Sequence, residues 1–114
     1  DGEIVDARPV VAAVVGDLRR CVPAAMVAAR FHRAVAAAIE RVCRRVREDR
    51  GLDRVCLAGG VFQNDLLLTD VVERLERIAF RVFVPREVPV GDGGISLGQV
   101  LVAHGRAAAG AEGR

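Results

Sequence analysis

Apolar side chains recur along this chain with two different periods, and the period predicts where helices and strands lie. From residue 23 to residue 50 they return every third or fourth position, which predicts one long helix that begins at Pro23 and is ended by Gly51. The same spacing predicts a helix over residues 64–78 and a last helix over residues 95–105. The stripe on the long helix consists of Val27, Phe31, Val35, Ile39, Val42 and Val46.

Two short apolar runs, residues 54–58 and 80–84, are predicted strands on either side of the middle helix. A strand–helix–strand connection of this length implies a parallel pair with a right-handed crossover. Near the start of the chain, residues 4–7 are predicted as a further short strand, and Pro9 then suits the first turn of a helix. The predicted fold class is therefore α/β, with helices flanking a parallel strand–helix–strand unit.

Composition and charge narrow the classes of protein that fit. The 114 residues are 52% hydrophobic and only 4% aromatic, which is typical of a folded chain with one modest core. The 17 basic and 15 acidic residues are interspersed, without a basic patch that carries aromatics, so we expect no nucleic-acid partner. No apolar run approaches the roughly 18–20 residues that a membrane span requires, and no signal peptide is visible, so we expect no membrane association.

The three cysteines, Cys21, Cys43 and Cys56, lie far apart and are odd in number. Neither a disulfide framework nor a zinc site follows from this spacing, and the pattern favours reduced thiols packed as small apolar residues in a cytoplasmic protein. Cys56 falls within a predicted buried strand. We expect none of the three to be a catalytic nucleophile.

The most informative segment joins the first of these strands to the middle helix. Here the chain reads Leu-Ala-Gly-Gly-Val-Phe-Gln-Asn over residues 57–64, and we call residues 59–63 the first glycine loop. Gly59 and Gly60 have no Cβ, so the backbone can pass close to a ligand, and the helix that follows directs N–H groups and a positive dipole towards the same point. This arrangement suits phosphate or another anion. The alternative is a tight structural turn with Asn64 as N-cap.

A second glycine-rich segment precedes the last helix. Residues 90–94, the second glycine loop, read Val-Gly-Asp-Gly-Gly. Ligands of open parallel sheets bind beyond the carboxyl ends of the strands, so both loops face one crevice if the two strands are neighbours. The carboxylate of Asp92 is then suited to hold a divalent metal or a metal-bound phosphate. The alternative is that Asp92 is the N-cap of the last helix.

The two loops and their flanking residues resemble a known family. Residues 57–64 with Leu66-Leu67-Leu68, the stretch Val-Gly-Asp-Gly-Gly-Ile-Ser-Leu-Gly-Gln over residues 90–99, and the triplet Arg30-Phe31-His32 are similar to the C-terminal end of the hydrogenase-maturation carbamoyltransferases, the HypF family. The resemblance extends from about residue 6 to residue 106. One departure is Gly91, which stands where the family often has Asn or another polar residue.

The resemblance implies a fold and a reaction. Residues 1–106 are expected to form the C-terminal part of a carbamoyltransferase domain, half of an actin/sugar-kinase-like (ribonuclease-H-like) nucleotide-binding domain, and residues 107–114 a disordered tail. Family members use ATP and carbamoyl phosphate to make a carbamoyl-adenylate. They transfer the carbamoyl group to the C-terminal cysteine thiol of a hydrogenase-maturation partner, where it becomes the cyanide ligand of a [NiFe]-hydrogenase.

The resemblance also implies roles for individual residues. By comparison with the family, the nucleotide contacts are Gly59, Gly60, Val61 and Asn64, and the ligand of a divalent metal (Mg, Zn or Fe) is Asp92. The family's metal site also uses two histidines of an upstream His-x-x-x-His motif. His32 and His104 have no such spacing, and we expect both to be ordinary surface or packed helix residues.

The chain begins at Asp1, and its only methionine is Met26, so we expect a fragment that lacks upstream domains and is inactive alone. Two alternatives stay open. One is a non-catalytic remnant or interaction module of the same fold, and the other is a fragment of an antibiotic-type O-carbamoyltransferase. The stretches at residues 62–64 and 95–99 favour hydrogenase maturation.

Overall fold

A computed structural model describes residues 5–111 as four α-helices and two strands, joined in part by short 3-10 turns. In chain order the elements are α1 (Arg8–Arg19), α2 (Ala24–Arg50), β1 (Arg54–Cys56), a 3-10 turn (Gly60–Gln63), α3 (Asp65–Arg77), β2 (Arg81–Phe83), a second 3-10 turn (Asp92–Gly94) and α4 (Ile95–Ala111).

The two strands are parallel neighbours, in the register that pairs Val55 with Val82. Backbone hydrogen bonds continue the pairing at both ends, from Arg81 N to Asp53 O at 2.8 Å and from Leu57 N to Phe83 O at 2.9 Å. This confirms the predicted α/β class and the parallel strand–helix–strand unit. It also brings the carboxyl ends of both strands, and the loops that leave them, to the same edge of the sheet.

The core lies where α2 and α3 pack together against the strands. On α3 the buried residues Leu67, Val71 and Leu75 are spaced four apart, so they form one face of the helix. Leu75 and Val71 are almost wholly removed from solvent. The buried side chain contributed by the middle of α2 is the small Ala36, which permits close approach of the two helices. The other buried members of the cluster are Leu57, Phe62 and Phe80.

Specific contacts fix the C-terminal end of α2. As predicted, Gly51 ends this helix in a left-handed conformation (φ 69°), and its N–H donates to Arg47 O at 2.8 Å. The guanidinium of Arg47 donates to Ile78 O at 2.8 Å and lies 4.3 Å from the centre of the Phe80 ring. These contacts join the C-terminal end of α2 to the segment between α3 and β2.

Helix α1 is attached to α2 through a buried carboxylate. Asp17 is only 6% exposed and accepts hydrogen bonds from Arg30 at 2.8 Å and Arg20 at 2.7 Å. The hydrogen bonds from these guanidinium groups, with that of Arg30 the larger effect, hold the pKa of Asp17 below its ordinary value.

Several predicted boundaries need correction. Residues 5–7 are not a strand: the Asp6 carboxylate accepts a hydrogen bond from Arg8 N at 3.0 Å, so this segment leads into α1, while Ile4 lies outside the described residues. Pro23 is the N-cap of α2, which begins at Ala24. Both strands are shorter than predicted. Helix α4 extends to Ala111, so the predicted tail at 107–114 is helical as far as residue 111, and residues 112–114 lie outside the described part.

The prediction that all three cysteines pack as small apolar residues is wrong for two of them. Cys21 and Cys56 are exposed, and only Cys43 is half-buried, where burial raises the pKa of its thiol. Cys56 is exposed because only the central residue of β1 faces the core. Among residues 5–111, none of the helices combines the length and apolar character needed to span a membrane.

Candidate functional site

The two glycine loops lie against each other at the carboxyl ends of the strands. Gly59 N donates to Val90 O at 2.5 Å. A Cβ placed on Gly91 would lie 3.8 Å from Gly60 Cα and 3.5 Å from Gln63 Nε2. The adjacency expected from the parallel topology is therefore observed, and the two loops are in direct contact at this edge of the sheet.

In the first glycine loop the two glycines have different structural reasons to be glycine. Gly59 has φ 115° and ψ 153°, a conformation that L-amino acids with a side chain rarely adopt. Gly60 has no such positive φ, and a Cβ added to it would have no protein atom within 4 Å. The absence of a side chain at Gly60 therefore leaves open space beside the loop rather than relieving strain.

The loop continues as the 3-10 turn Gly60–Gln63, which is anchored by the buried ring of Phe62. Val61 is 57% exposed. Within residues 5–111, no acceptor pairs with the backbone N–H groups of Gly60 and Val61, which open this turn. Two neighbouring N–H groups at the start of a turn, beside open space, can donate to an anionic oxygen.

Asn64 is the N-cap of α3, as the structural alternative predicted, since its Oδ1 accepts from Leu67 N at 3.1 Å. Its Nδ2 donates to His32 Nε2 at 3.0 Å. Because Asn64 occupies the Leu67 N–H and Asp65 adds a carboxylate in the first turn, the end of α3 is less receptive to an anion than the sequence suggested. The better donors are the N–H groups of the turn itself.

Sequence reasoning missed the contact made by His32. This residue was predicted to be an ordinary surface or packed histidine, and it is half-buried on α2 with a partner in the candidate site. The signal was present in the Arg30-Phe31-His32 triplet, but no local pattern indicates which loop that helix face meets. His104, as predicted, is an exposed residue of α4.

In the second glycine loop, Asp92 is exposed and lies in the 3-10 turn before α4. The alternative role as N-cap of α4 is not observed: among the described residues no N–H donates to the Asp92 carboxylate, and Gly94 N donates to Gly91 O at 3.0 Å instead. Within the described residues the Asp92 carboxylate has no hydrogen-bond donor, so both of its oxygens are available to a ligand.

Residue 94 must be glycine because its backbone lies close to the carbonyl oxygen of Pro89. A Cβ there would lie 2.7 Å from Pro89 O, nearer than real Cβ contacts occur, whereas a Cβ on Gly93 would meet the Pro89 ring at 3.4 Å. Gly91 has φ −97°, which any residue can adopt.

The residues present do not by themselves fit a metal centre. Across the described residues, no group of three or more His, Cys, Asp or Glu side chains converges to hold a metal ion. Asp92 offers one carboxylate, whereas a divalent cation requires several ligands.

The strand pairing and the two loops define this chain as an α/β unit with paired glycine loops at the carboxyl edge of its sheet. The sequence model of a family described as carbamoyltransferase, Kae1-like domain, second subdomain, matches residues 1–99. The carbamoyltransferase HypF of Synechocystis sp. is 33% identical over 97 residues, which are 85% of this chain and 12% of that protein. HypF2 of Cupriavidus necator is 39% identical over 84 residues, or 74% of this chain and 10% of that protein.

A solved structure of full-length HypF in the phosphate- and nucleotide-bound form superimposes with a TM-score of 0.84 at 33% identity, over 86% of this chain and 13% of that one. The chain therefore belongs to the HypF carbamoyltransferase family and corresponds to the second subdomain of its Kae1-like domain. It spans only about an eighth of the length of these relatives.

Proposed function

We propose that this chain forms one wall of the nucleotide site of a carbamoyltransferase, with Gly59, Gly60, Val61 and Asn64 as its nucleotide contacts. The observation that carries this proposal is that the described residues offer no acceptor to the neighbouring N–H groups of Gly60 and Val61. Their loop is held by the Gly59–Val90 hydrogen bond, and the space where a Gly60 side chain would stand is open. Backbone N–H groups at such a turn are suited to phosphate oxygens. The superimposed HypF structure is described as phosphate- and nucleotide-bound, which supports the same ligand class.

In the whole protein, we propose that ATP and carbamoyl phosphate supply a carbamoyl group to the C-terminal cysteine thiol of a hydrogenase-maturation partner in the cytoplasm. Membership of the HypF family supports this reaction. Since the chain spans 12% of the Synechocystis relative, the remaining catalytic groups are assigned to upstream domains. The role of this chain is to bind and orient the nucleotide.

We also propose that Asp92 is one ligand of a divalent metal whose other ligands come from those upstream domains. The support is its exposed carboxylate, which makes no capping hydrogen bond among the described residues and lies in the loop that contacts the first glycine loop. Mg, Zn and Fe all remain compatible with one carboxylate ligand. When bound, such a metal would neutralise phosphate charge.

A hybrid protein tests these assignments. This chain replaces the matching segment of the Synechocystis relative, and ATP binding is measured by calorimetry with and without Mg²⁺. The isolated chain is expected to bind ATP weakly or not at all, whereas the hybrid is expected to bind it in a Mg-dependent manner. A hybrid that binds no better than the isolated chain contradicts the nucleotide role.

The metal assignment has its own variant. Asp92→Ala in the hybrid is expected to abolish the Mg dependence of ATP binding, because the proposed carboxylate ligand is lost. Asp65→Ala, which removes a carboxylate in the first turn of α3, is the matched control and should leave the Mg dependence in place. If the Asp92→Ala hybrid binds ATP as well as the parent and with the same Mg dependence, the assignment is wrong.

A further inference from the structure

A series of hydrogen bonds joins the N-terminal part of α2 to the candidate site. His32 Nδ1 lies 2.8 Å from Ala28 O, His32 Nε2 lies 3.0 Å from Asn64 Nδ2, and Asn64 Oδ1 lies 3.1 Å from Leu67 N. This series begins at Ala28, one helical turn before His32 on α2, and ends at Leu67 in the first turn of α3, just after the first glycine loop.

The backbone groups at the two ends of this series, Leu67 N–H and Ala28 O, determine which side-chain atoms between them donate and which accept. The backbone N–H of Leu67 can only donate, so the Asn64 atom facing it is the carbonyl oxygen, and the amide nitrogen must face His32. That nitrogen can only donate, so His32 Nε2 accepts and carries no proton. The backbone oxygen of Ala28 can only accept, so His32 Nδ1 carries the proton. The network therefore specifies one neutral tautomer of His32.

His32 is itself fixed by packing, so it can restrain the side chain of Asn64. Ala36, one helical turn further along α2, is fully buried in the core, so the backbone that carries His32 is fixed by packing. The Phe31 and His32 rings form a T-shaped pair, with ring centroids 6.2 Å apart and planes at 81°. By contrast, Asn64 is exposed and lies at the junction of the 3-10 turn and α3.

We infer that His32 is a positioning residue for the first glycine loop. It holds the Asn64 amide so that one N–H of Nδ2 is used internally, the carbonyl oxygen caps α3, and the second N–H of Nδ2 keeps a fixed direction. Asn64 N in turn donates to Val61 O at 3.2 Å, so the same contact stabilises the turn that opens with the N–H groups of Gly60 and Val61. The consequence for ligand affinity rests on the proposed nucleotide-binding function.

The first test reads the tautomer directly in the 114-residue chain. In ¹⁵N spectra of the imidazole rings at pH 8, His32 is expected to show a protonated Nδ1 and an unprotonated Nε2, and Asn64→Ala is expected to remove this preference. The exposed His104 is the internal reference. A His32 ring protonated on Nε2, or one with the same tautomer mixture as His104, overturns the inference.

The second test separates the hydrogen bond from simple packing. His32→Leu fills similar space without an acceptor, whereas His32→Gln restores an acceptor oxygen. The backbone amide signals of Gly60–Gln63 are expected to shift in His32→Leu and to stay near their original positions in His32→Gln. Unchanged signals in His32→Leu, or equal shifts in both variants, overturn the positioning role.

The same variants in the hybrid protein test the consequence for the ligand. His32→Leu is expected to weaken ATP binding about five-fold, as for the loss of one hydrogen bond, while His32→Gln and the control His104→Leu stay within about two-fold of the parent. If the parent hybrid does not bind ATP, the proposed function fails and the imidazole and amide spectra still decide the role of His32. If the parent binds and His32→Leu binds equally well, the positioning role fails alone.

Discussion

The two glycine loops follow equivalent strands, yet the protein holds them by different means. The first leads into α3, whose inner face is buried, and is anchored by Phe62 and by the Asn64 cap. The second leads into α4, in which residues 95–108 are all exposed, and Gly93 and Gly94 lie close to Pro89. The first loop is therefore supported by the core, and the second chiefly by its neighbouring backbone.

The comparison shows that similar sequence does not mean similar reasons for glycine. Each loop has one glycine that the protein itself requires: Gly59 because of its positive φ, and Gly94 because of the Pro89 carbonyl. Each loop also has a glycine, Gly60 in the first and Gly91 in the second, at which an added Cβ would make at most ordinary contacts with the described residues. A requirement for glycine at these positions would have to come from a ligand or a neighbouring domain. Substituting a glycine of each kind separates a requirement of the fold from a requirement of a ligand or a neighbouring domain.

The largest effect is expected for Gly59→Ala. Alanine at φ 115° is strained, and the change is expected to lower the free energy of unfolding by about 3 kcal/mol. Denaturant unfolding of the 114-residue chain measures this, with Gly60→Ala as the matched control. Equal stability of the Gly59→Ala and Gly60→Ala variants would contradict the assignment of strain to Gly59.

A somewhat smaller loss is expected for Gly94→Ala. The added Cβ would lie 2.7 Å from Pro89 O, so the Pro89 backbone must move, at a cost of about 2 kcal/mol. Gly93→Ala, whose Cβ meets the Pro89 ring at 3.4 Å, is the control and should cost much less. The same unfolding measurement ranks the two variants, and the reverse ranking would show that the second loop is not held by this contact.

Gly60→Ala is expected to affect the ligand and not the fold. Its Cβ would meet no protein atom within 4 Å, so the unfolding free energy should be nearly unchanged. In the hybrid protein the same methyl group would occupy the space beside the N–H donors and weaken ATP binding about ten-fold. ATP binding at the parent affinity would show that the ligand does not approach Gly60.

Much of the first region could be predicted from the sequence, because its signals are local. The helical period predicts α2 and α3, Gly51 readily adopts the left-handed conformation that ends α2, and Asn64 is a residue type that suits the N-cap position of α3. Where local signals were weak, prediction failed. The apolar run that includes Val5 is too short to distinguish a strand from a segment that leads into a helix. In the structure the Asp6 carboxylate accepts a hydrogen bond from Arg8 N, and the segment leads into α1.

The contacts that define the site are not local, and the sequence does not reveal them. His32 and Asn64 meet only because α2 packs against α3, and Gly59 meets Val90 only because the strands are neighbours. Asp92 shows a second limit of prediction from the sequence. Its position was predicted, but its proposed role as a metal ligand needs further ligands, since the described residues hold no cluster that could bind a metal.

The smallest effect is expected at the departure from the family pattern, Gly91→Asn. Gly91 has an ordinary φ of −97°, and its Cβ position is 3.5 Å from Gln63 Nε2, which is normal contact. Asparagine should therefore fit without strain and reduce the conformational freedom of the unfolded chain, which raises the free energy of unfolding by about 0.5 kcal/mol. Its amide would also lie within reach of Gln63, joining the loops side chain to side chain. A loss of stability on denaturant unfolding would instead show that the loops touch too closely at this point for any side chain, and that Gly91, like Gly94, is required by the approach of neighbouring backbone.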